Sequence, residues 1–378
     1  MYSRILNYTE KKSFFLFGPR GTGKSTWVRT RFPHALYLDL LRGDLYTSLL
    51  ADPHHLARLI PPDWQDWIII DEVQKVPALL DEVHRLIEEK KLCFVLTGSS
   101  ARKLKRAGSN LLAGRALNYT MHPFTSVELG DDFKLAKALE HGLLPATWSE
   151  TDPQQFLAAY VQTYLQEEIL AEGLTRRLDQ FSRFLQAASF SQGSLLNITQ
   201  VARDCAVERK TVSNYFEILE DLLLAIRLPI FQRRARRRLV QHPKFYYFDV
   251  GVYRVLRPQG PLDDQATIEG IAYESLWLQE MRALDAAYHW GYEFFYWRTQ
   301  TGYEVDFVLY GKKGFFAFEI KRSSRLRPAD FKGLKAFKKE YPEAKLYLIY
   351  GGSECLYEEG ITCLPYQQGL NQLGEILA

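Results

Sequence analysis

A glycine-rich loop at residues 18–25 constrains the fold of this chain more than any other feature. It reads Gly-Pro-Arg-Gly-Thr-Gly-Lys-Ser, follows the apolar run Phe-Phe-Leu-Phe directly and opens a helical pattern. A strand, such a loop and a helix in this order bring backbone N–H groups and a helix N-terminus around phosphate groups. The segment therefore predicts an α/β domain whose first loop binds the phosphates of a nucleotide.

The residue types of this loop have distinct chemical roles. Glycines at 18 and 23 permit the backbone torsions that direct N–H groups at phosphate oxygens. Lys24 would reach the β- and γ-phosphates, and Ser25 would ligate Mg²⁺. Together with Asp71 of the next motif, the predicted nucleotide-binding residues are Gly18, Pro19, Arg20, Gly21, Thr22, Gly23, Lys24, Ser25 and Thr26.

A second motif follows at residues 68–72, where Ile-Ile-Ile ends in Asp71 and Glu72. An apolar run with an acidic end predicts a buried strand whose tip carries charge. Asp71 would hold Mg²⁺ through water and Glu72 would polarise the attacking water, although a surface turn after a strand is the alternative. The next apolar run, 92–96, ends in Thr-Gly-Ser-Ser, which would lie beside the γ-phosphate.

The chain is long enough for two or three domains. Up to about residue 125, apolar strand patterns alternate with helical ones, as in an α/β domain. The predicted strands there are 13–17, 35–40, 67–71, 92–97 and 117–121, and the helices between them include 24–31 and 77–90. The region 131–191 is helical throughout, and 197–243 reads as helix, turn, helix and two apolar runs around an arginine-rich tip. From residue 269 the predicted order is helix, three strands, helix, strand.

The net charge of +3 is unevenly distributed. Seven Lys and Arg residues and no acid lie between 222 and 244, which leaves a net charge of −4 for the rest. A focused basic segment predicts a polyanion partner, here duplex or branched DNA held through its backbone. The alternative is a spacer with solvated arginines. The predicted DNA-binding residues are Arg209, Lys210, Arg233, Arg234, Arg236, Arg237 and Arg238.

Several carboxylates and a lysine near the C-terminus form another candidate site. Residues 304–309 alternate polar and apolar side chains, and Glu319 and Lys321 share one face of the next predicted strand, 315–321, so Asp306 would converge with Glu319 and Lys321 if the two strands paired. Glu274, on a predicted helix at 269–284, would add a third carboxylate. Carboxylate oxygens suit Mg²⁺ or Mn²⁺, which would activate water against a phosphodiester. Lys321 would either orient that water or stabilise the developing charge. The alternative is a cross-face ion pair without catalysis.

Other features exclude some classes of protein. No apolar run reaches the roughly 18 residues that a membrane span requires, and residues 1–7 lack a signal-like apolar core. The four cysteines are scattered, without zinc spacing or a disulfide framework. We therefore expect a cytoplasmic protein with no membrane partner.

On these motifs the sequence resembles the AAA+ ATPases, and most closely a prokaryotic branch that carries a winged helix and a PD-(D/E)XK nuclease-like C-terminal domain. The matching stretches are 17–26, 68–74, 97–104, 111–115, 242–246 and 304–307. The resemblance implies an α/β chain with four parts. These are an AAA+ P-loop ATPase core at residues 1–125, a helical lid at 126–195, a winged helix at 196–265 and a PD-(D/E)XK-like α/β domain at 266–378.

The resemblance also implies roles for individual residues. Ser99 matches the sensor of the lytic water, with Ser100 as the alternative. Arg115 matches the arginine finger that enters a neighbouring subunit's site, with Arg102 as a competitor, so the protein would be an oligomer and most commonly a hexamer. A lid arginine would touch the nucleotide, but Arg176, Arg177 and Arg183 are equal candidates. In the C-terminal domain, Asp306, Glu319 and Lys321 match the nuclease motif, with Glu274 at the helix acid position.

Two functions follow from these expectations. The first is an ATP-driven DNA-processing ATPase whose C-terminal domains cut nucleic acid with a metal ion. The second is a nucleotide-switched DNA-binding regulator in which the nuclease-like domain is an inactive adaptor. A small-molecule kinase would explain neither the basic segment nor the C-terminal carboxylates.

Overall fold

The computed structural model describes residues 2–102, 104, 112, 114–165, 178–232 and 242–378. The chain forms two compact units. The N-terminal unit comprises Ser3–Pro123 and Asp221–Leu223, and the C-terminal unit takes in Phe124–Glu220 and Leu224–Ala378. The division into four domains at 125, 195 and 265 therefore stays a prediction.

A parallel five-stranded sheet forms the centre of the N-terminal unit, in the order β2-β3-β4-β1-β5. The three central strands, β3, β4 and β1, are buried and mostly apolar because helices cover both faces of such a sheet. All five predicted strands are present, with ends that differ by one or two residues. They are β1 (Phe14–Phe17), β2 (Leu36–Asp39), β3 (Ile68–Asp71), β4 (Phe94–Gly98) and β5 (Leu117–Thr120).

The helices of this unit connect the strands. They are α1 (Lys24–Arg31), α2 (Gly43–Ala51), α3 (His55–Leu59) and α4 (Leu79–Lys90). The bounds of α1 agree with the prediction, whereas α4 begins two residues later than predicted. A short 3₁₀ turn at Val73–Lys75 precedes α4 and leads the chain away from the end of β3. Buried apolar side chains form one cluster on each face of the sheet.

Short helices open the C-terminal unit, as the periodicity of residues 131–191 predicts. Capping residues fix several of their starts: Thr125 forms a capping box with Glu128, and Asp152 caps a helix that begins at Pro153. The helices are α5 (Ser126–Leu129), α6 (Leu135–His141), α7 (Pro145–Ser149), α8 (Pro153–Ala159) and α9 (Leu178–Ser189), with a π-helical turn at Tyr160–Leu165.

A helix–turn–helix and a two-stranded sheet follow. The helices are α10 (Ile198–Asp204) and α11 (Arg209–Asp221), and the antiparallel strands are β6 (Ala225–Leu228) and β7 (Lys244–Tyr247). This element order is the one predicted for the central module, whose assignment as a winged helix stays a prediction. After β6 the chain joins the next sheet, because Ile230 pairs with Tyr296 and the N–H of Phe231 donates to the Tyr296 carbonyl at 2.6 Å.

The last part of the chain is a six-stranded mixed sheet in the order β12-β13-β11-β10-β9-β8. The predicted helix, three strands, helix and strand are all present, and the prediction omitted β12, β13 and the last helix. The elements are α12 (Val250–Leu256), α13 (Gln265–Tyr288), β8 (Glu293–Arg298), β9 (Glu304–Gly311), β10 (Gly314–Lys321), α14 (Lys332–Glu340), β11 (Lys345–Tyr350), β12 (Leu356–Glu358), β13 (Ile361–Pro365) and α15 (Tyr366–Leu377).

Of the helices that the structure describes, none has the length and apolar character to cross a bilayer. The longest, α13, has 24 residues but carries buried polar side chains such as Gln279 and Glu280.

Glu280 is a buried acid that joins α13 to the start of α5. Its carboxylate accepts hydrogen bonds from the Ser126 N–H at 2.7 Å and the Ser126 hydroxyl at 3.1 Å. Burial raises the pKa of Glu280 to about 8, and these hydrogen bonds only partly offset that effect. The folded protein therefore binds a proton at Glu280 in a pH range where the unfolded chain has lost it.

We predict that this acid makes the C-terminal unit less stable as the pH rises. A carboxyl whose pKa is higher in the folded than in the unfolded state makes the protein less stable as the pH rises from about 4.5 to about 8. The melting temperature of wild type should thus fall between pH 5.5 and 8.5. Glu280→Gln should reduce this fall by at least about 4 °C, because one pKa unit corresponds to about 1.4 kcal/mol. Exposed Glu293 provides the control, and equal slopes for Glu280→Gln and Glu293→Gln would contradict the assignment.

Candidate nucleotide site and C-terminal carboxylate centre

The loop between β1 and α1 has the backbone that phosphate binding requires. Gly21 and Gly23 have φ values of 83° and 91°, which side chains other than glycine rarely permit. Lys24 is buried, and its Nζ donates to the carbonyls of Gly18 at 2.7 Å and Pro19 at 3.1 Å. The ammonium group is thus held above the loop by weak neutral acceptors, for which phosphate oxygens would be stronger replacements.

Neighbouring groups fix this loop on both sides. The Thr22 hydroxyl donates to the Pro19 carbonyl at 2.8 Å, and the Arg4 guanidinium donates to the carbonyls of Thr22 and His122, both at 2.7 Å. Arg4 therefore joins the loop to the chain that follows β5. Of the other predicted binding residues, Ser25 is half-buried in the first turn of α1, whereas Arg20 and Thr26 are exposed.

Asp71 ends β3 as a buried carboxylate, with 3% of its surface exposed. It accepts hydrogen bonds from the Thr97 hydroxyl on β4 and the Tyr37 hydroxyl on β2. Burial, and then the hydrogen bond to Asp71, raises the pKa of Tyr37, so its hydroxyl keeps its proton and donates. The sequence analysis missed Tyr37 as a partner of Asp71, because a tyrosine on a neighbouring strand gives no local signal.

Glu72 follows Asp71 in a left-handed backbone conformation, with φ of 61°. Its N–H donates to the Thr97 hydroxyl at 3.3 Å, and its carboxylate accepts a hydrogen bond from the Gln74 amide. Ser99 and Ser100 directly follow β4, the neighbour of β3 in the sheet, and both are buried. Because β4 lies between β1 and β3, the loop, the acids and the two serines meet at one edge of the sheet.

The arginines with predicted roles lie in different settings. The Nε of Arg115 donates to Glu88, and this ion pair lowers the pKa of Glu88. Arg102, the competitor, pairs with Asp221, and Arg183 donates to Asp179 at 3.2 Å and to the Cys205 carbonyl at 3.3 Å. The remaining lid candidates, Arg176 and Arg177, lie outside the described residues. An arginine finger and a lid sensor stay predictions.

The C-terminal carboxylates occupy a pair of antiparallel strands, as predicted. Asp306 on β9 accepts a hydrogen bond from the N–H of Ile320 on β10 at 2.9 Å. Lys321 donates to Glu319 Oε1 at 2.6 Å, while Glu319 Oε2 is buried with no hydrogen-bond partner among the residues that the structure describes. Asp306, Glu319 and Lys321 are therefore neighbours on one side of these strands.

A lysine that the sequence analysis overlooked enters this centre. Lys244 lies on β7, has 3% of its surface exposed, and pairs with Glu304 and, at 3.5 Å, with Asp306. Two residues along the same strand, the Tyr246 hydroxyl donates to Glu274 Oε2 at 3.4 Å. Because residues two apart share one face of a strand, Lys244 and Tyr246 both face the carboxylates, and this spacing was the available signal.

Burial sets the protonation of the centre. It raises the pKa of Glu319 to about 8, with a further upward contribution from Asp306, and it raises the pKa of Glu274 well above its usual value. Burial alone would lower the pKa of Lys244, but Tyr246, Asp306, Glu274 and Glu304 outweigh it and raise that pKa. The centre therefore keeps cationic lysine beside partly protonated acids.

The assignment of Glu274, Asp306 and Glu319 as ligands of Mg²⁺ or Mn²⁺ stays a prediction. Among the described residues, no three or more acidic, histidine or cysteine side chains are arranged to hold a metal ion. In the present arrangement Lys244 supplies positive charge to Asp306, and the N–H of Ile320 and the ammonium group of Lys321 occupy further carboxylate oxygens.

The predicted DNA-binding residues are only partly described. Arg209 and Lys210 are exposed in the first turn of α11, where nothing covers their charges in the described part of the chain. The five arginines predicted at the tip between β6 and β7, Arg233, Arg234, Arg236, Arg237 and Arg238, lie outside the described residues.

Comparison with known families assigns the N-terminal part. Residues 10–130 match the family model described as AAA domain. Over these residues the chain is similar to AAA domains. Residues 132–263 match a domain of unknown function (DUF8612), and residues 269–368 match another (DUF4143). The AAA domain covers the nucleotide site, whereas the family descriptions of the other two parts name no winged helix and no nuclease.

Two curated mycobacterial proteins are similar along almost the whole chain. They are described as uncharacterized proteins, Mb2031c of Mycobacterium bovis and Rv2008c of Mycobacterium tuberculosis. Each is 26% identical in an alignment of 377 residues that covers 96% of this chain and 82% of the relative. The Orc1 protein of Aeropyrum pernix, solved in complex with DNA, aligns with 65% of this chain and 86% of its own at 14% identity and a TM-score of 0.25. A score this low supports no conclusion about this chain.

We predict that Lys244 stabilises the C-terminal unit as the counter-ion of its carboxylates. Lys244→Met keeps an unbranched side chain that is one atom shorter, but it leaves Glu304 and Asp306 without their cation, so the free energy of unfolding should fall by about 3–5 kcal/mol. Lys335 pairs with Glu358 and Glu359 near the surface, so Lys335→Met should cost at most about 1 kcal/mol. Urea unfolding of both variants measures the difference. Equal midpoints for the two would contradict a structural role for Lys244.

Proposed function

We propose that this protein is an ATP-hydrolysing AAA-type ATPase that engages DNA. The observation that carries the proposal is the meeting of three segments at one sheet edge. These are the glycine-rich loop after β1, Asp71 and Glu72 after β3, and Ser99 after β4. A phosphate cradle beside a buried acid and a second, catalytic acid is the arrangement by which P-loop enzymes hydrolyse nucleoside triphosphates.

The residues present also fit a magnesium ion. Ser25 lies in the first turn of α1, and the buried Asp71 supplies carboxylate oxygens of the kind that Mg²⁺ prefers. When bound, Mg²⁺ would neutralise charge on the phosphates. Tyr37 and Thr97 would keep the Asp71 carboxylate in a fixed orientation toward it.

The remaining steps belong to the protein's own groups. Lys24 would exchange the carbonyls of Gly18 and Pro19 for phosphate oxygens and neutralise charge as it develops. Glu72 would orient the attacking water, with Ser99 as its sensor partner. We propose that Arg115 leaves Glu88 and completes the site of an adjacent subunit, which would make the active form an oligomer, with a hexamer as the commonest arrangement of such ATPases.

The proposal of DNA as partner rests on charge. The segment 222–244 carries seven cations and no acid, and Arg209 and Lys210 add exposed charge at the start of α11. Such a cluster repels itself unless a polyanion is present, and phosphate contacts relieve the repulsion. We propose backbone contacts with duplex or branched DNA.

For the C-terminal domain we propose an adaptor role, which makes the protein a nucleotide-controlled DNA-binding ATPase. Lys244 favours this role because it neutralises charge on Glu304 and Asp306 without a metal ion. A metal-dependent nuclease is the second candidate, favoured by the proximity of Asp306, Glu319 and Lys321 on paired strands. That activity would require Lys244 to leave the centre.

The first prediction of this proposal concerns hydrolysis. Glu72→Gln should lower kcat for ATP by about 100-fold or more while ATP still binds, because only the orientation of water is lost. Lys24→Ala should abolish ATP binding itself. Phosphate release and binding of a fluorescent ATP analogue separate the two effects.

Exposed Glu89 provides the control, since it lies on α4 away from the sheet edge. Glu89→Gln should hydrolyse ATP at the wild-type rate. Hydrolysis that persists in Glu72→Gln, or a wild type that never hydrolyses ATP, would overturn the proposal.

The second prediction concerns DNA. The double variant Arg209→Gln/Lys210→Gln should bind duplex DNA more weakly, and the slope of log affinity against log salt should fall by about 2. Lys312→Gln/Lys313→Gln removes two exposed cations from the turn between β9 and β10, and we expect it to bind DNA as wild type does. Fluorescence anisotropy at several salt concentrations measures both. An unchanged slope for the first variant would exclude these two residues from the interface.

A further inference from the structure

A glutamine joins the two residues with predicted roles at the attacking water. Gln74 lies in the 3₁₀ turn Val73–Lys75 after β3 and has 5% of its surface exposed. Its Nε2 donates to Glu72 Oε2 and lies 3.4 Å from the Ser99 hydroxyl oxygen, where it donates as well. One buried side chain thus contacts both the acid and the sensor candidate of the AAA domain.

The acid fixes the orientation of this amide. An ionised carboxylate only accepts hydrogen bonds, so the NH₂ group and not the oxygen of Gln74 must face Glu72. The amide oxygen, Oε1, then points the other way and is buried without a hydrogen-bond partner among the described residues. A buried polar atom without a partner costs about 1–3 kcal/mol, so the arrangement is kept at the expense of stability.

The surrounding backbone is adapted to the same contact. A Cβ at Gly98 would lie 2.4 Å from Gln74 Oε1, so only glycine between Thr97 and Ser99 leaves room for the amide. Glu72 also adopts a φ of 61°, which is uncommon for a residue with a side chain. Space at Gly98 and strain at Glu72 both serve to bring Gln74 against the acid.

We propose that Gln74 is a positioning residue of the ATP hydrolysis site. Its amide holds the Glu72 carboxylate in one orientation by donating to Oε2. Because the amide donates to the Ser99 oxygen, the Ser99 hydroxyl proton stays available for a phosphate or water acceptor. This inference rests on the proposed function, since it assigns a role within the same reaction.

Gln74→Met tests the inference because it keeps the shape of the side chain and removes both polar atoms. We expect kcat for ATP hydrolysis to fall by about tenfold or more, whereas the dissociation constant for ATP stays within about twofold. The melting temperature should stay the same or rise, since the variant also removes the unpartnered oxygen. A merely structural role would lower the melting temperature and weaken ATP binding together.

Two further variants provide a second test of the Gln74 contact and a control. Gly98→Ala should displace the amide and lower kcat without any change to Gln74 itself. Lys75→Met changes the next residue of the same turn, whose Nζ lies over the Tyr46 ring at 4.8 Å, and should leave kcat unchanged.

The outcomes separate this inference from the proposed function. If wild type hydrolyses ATP, Glu72→Gln does not, and Gln74→Met retains the wild-type kcat, then the role of Gln74 is wrong and the ATPase assignment stands. If wild type fails to hydrolyse ATP, or Glu72→Gln remains active, both are wrong. If Gln74→Met lowers kcat only in proportion to lost stability, Gln74 is structural.

Discussion

The position of β4 between β1 and β3 is the constraint on which the nucleotide site depends. Parallel pairing brings the carboxyl ends of all three strands to one edge, so a loop, two acids and two serines distant in sequence become neighbours. The burial that makes these strands pair also strips water from Asp71, and Thr97 and Tyr37 compensate with hydrogen bonds. Fold stability and the geometry of the site therefore have the same origin.

In the C-terminal unit the main physical constraint is the stabilisation of buried carboxylates. Carboxylates that leave water need a cation, hydrogen bonds or protons. Here Lys244 supplies the cation, backbone N–H groups supply hydrogen bonds and raised pKa values at Glu319 and Glu280 supply protons. A set of acids that resembles a metal centre in sequence thereby finds charge partners, hydrogen bonds and protons within the protein.

Local patterns predicted much of this molecule. The apolar runs and the glycine-rich loop gave all five strands of the AAA domain, and alternation along β9 and β10 placed Asp306 near Glu319. Tyr37, Gln74 and Lys244 escaped prediction because their partners come from other strands or through a turn, and one sequence holds no record of such contacts. The lysine that pairs with Asp306 lies 62 residues before it in the chain, and the metal centre stays a prediction.

The most direct measurement of the central claim is a crystal structure with Mg²⁺ and a non-hydrolysable ATP analogue. The account predicts that Lys24 Nζ leaves the carbonyls of Gly18 and Pro19 for the β- and γ-phosphates. It also predicts Mg²⁺ beside Ser25 and Asp71, and Glu72, still held by Gln74, facing a water next to the γ-phosphate. A nucleotide bound elsewhere, or a Lys24 that keeps its carbonyl contacts with the analogue present, would contradict it.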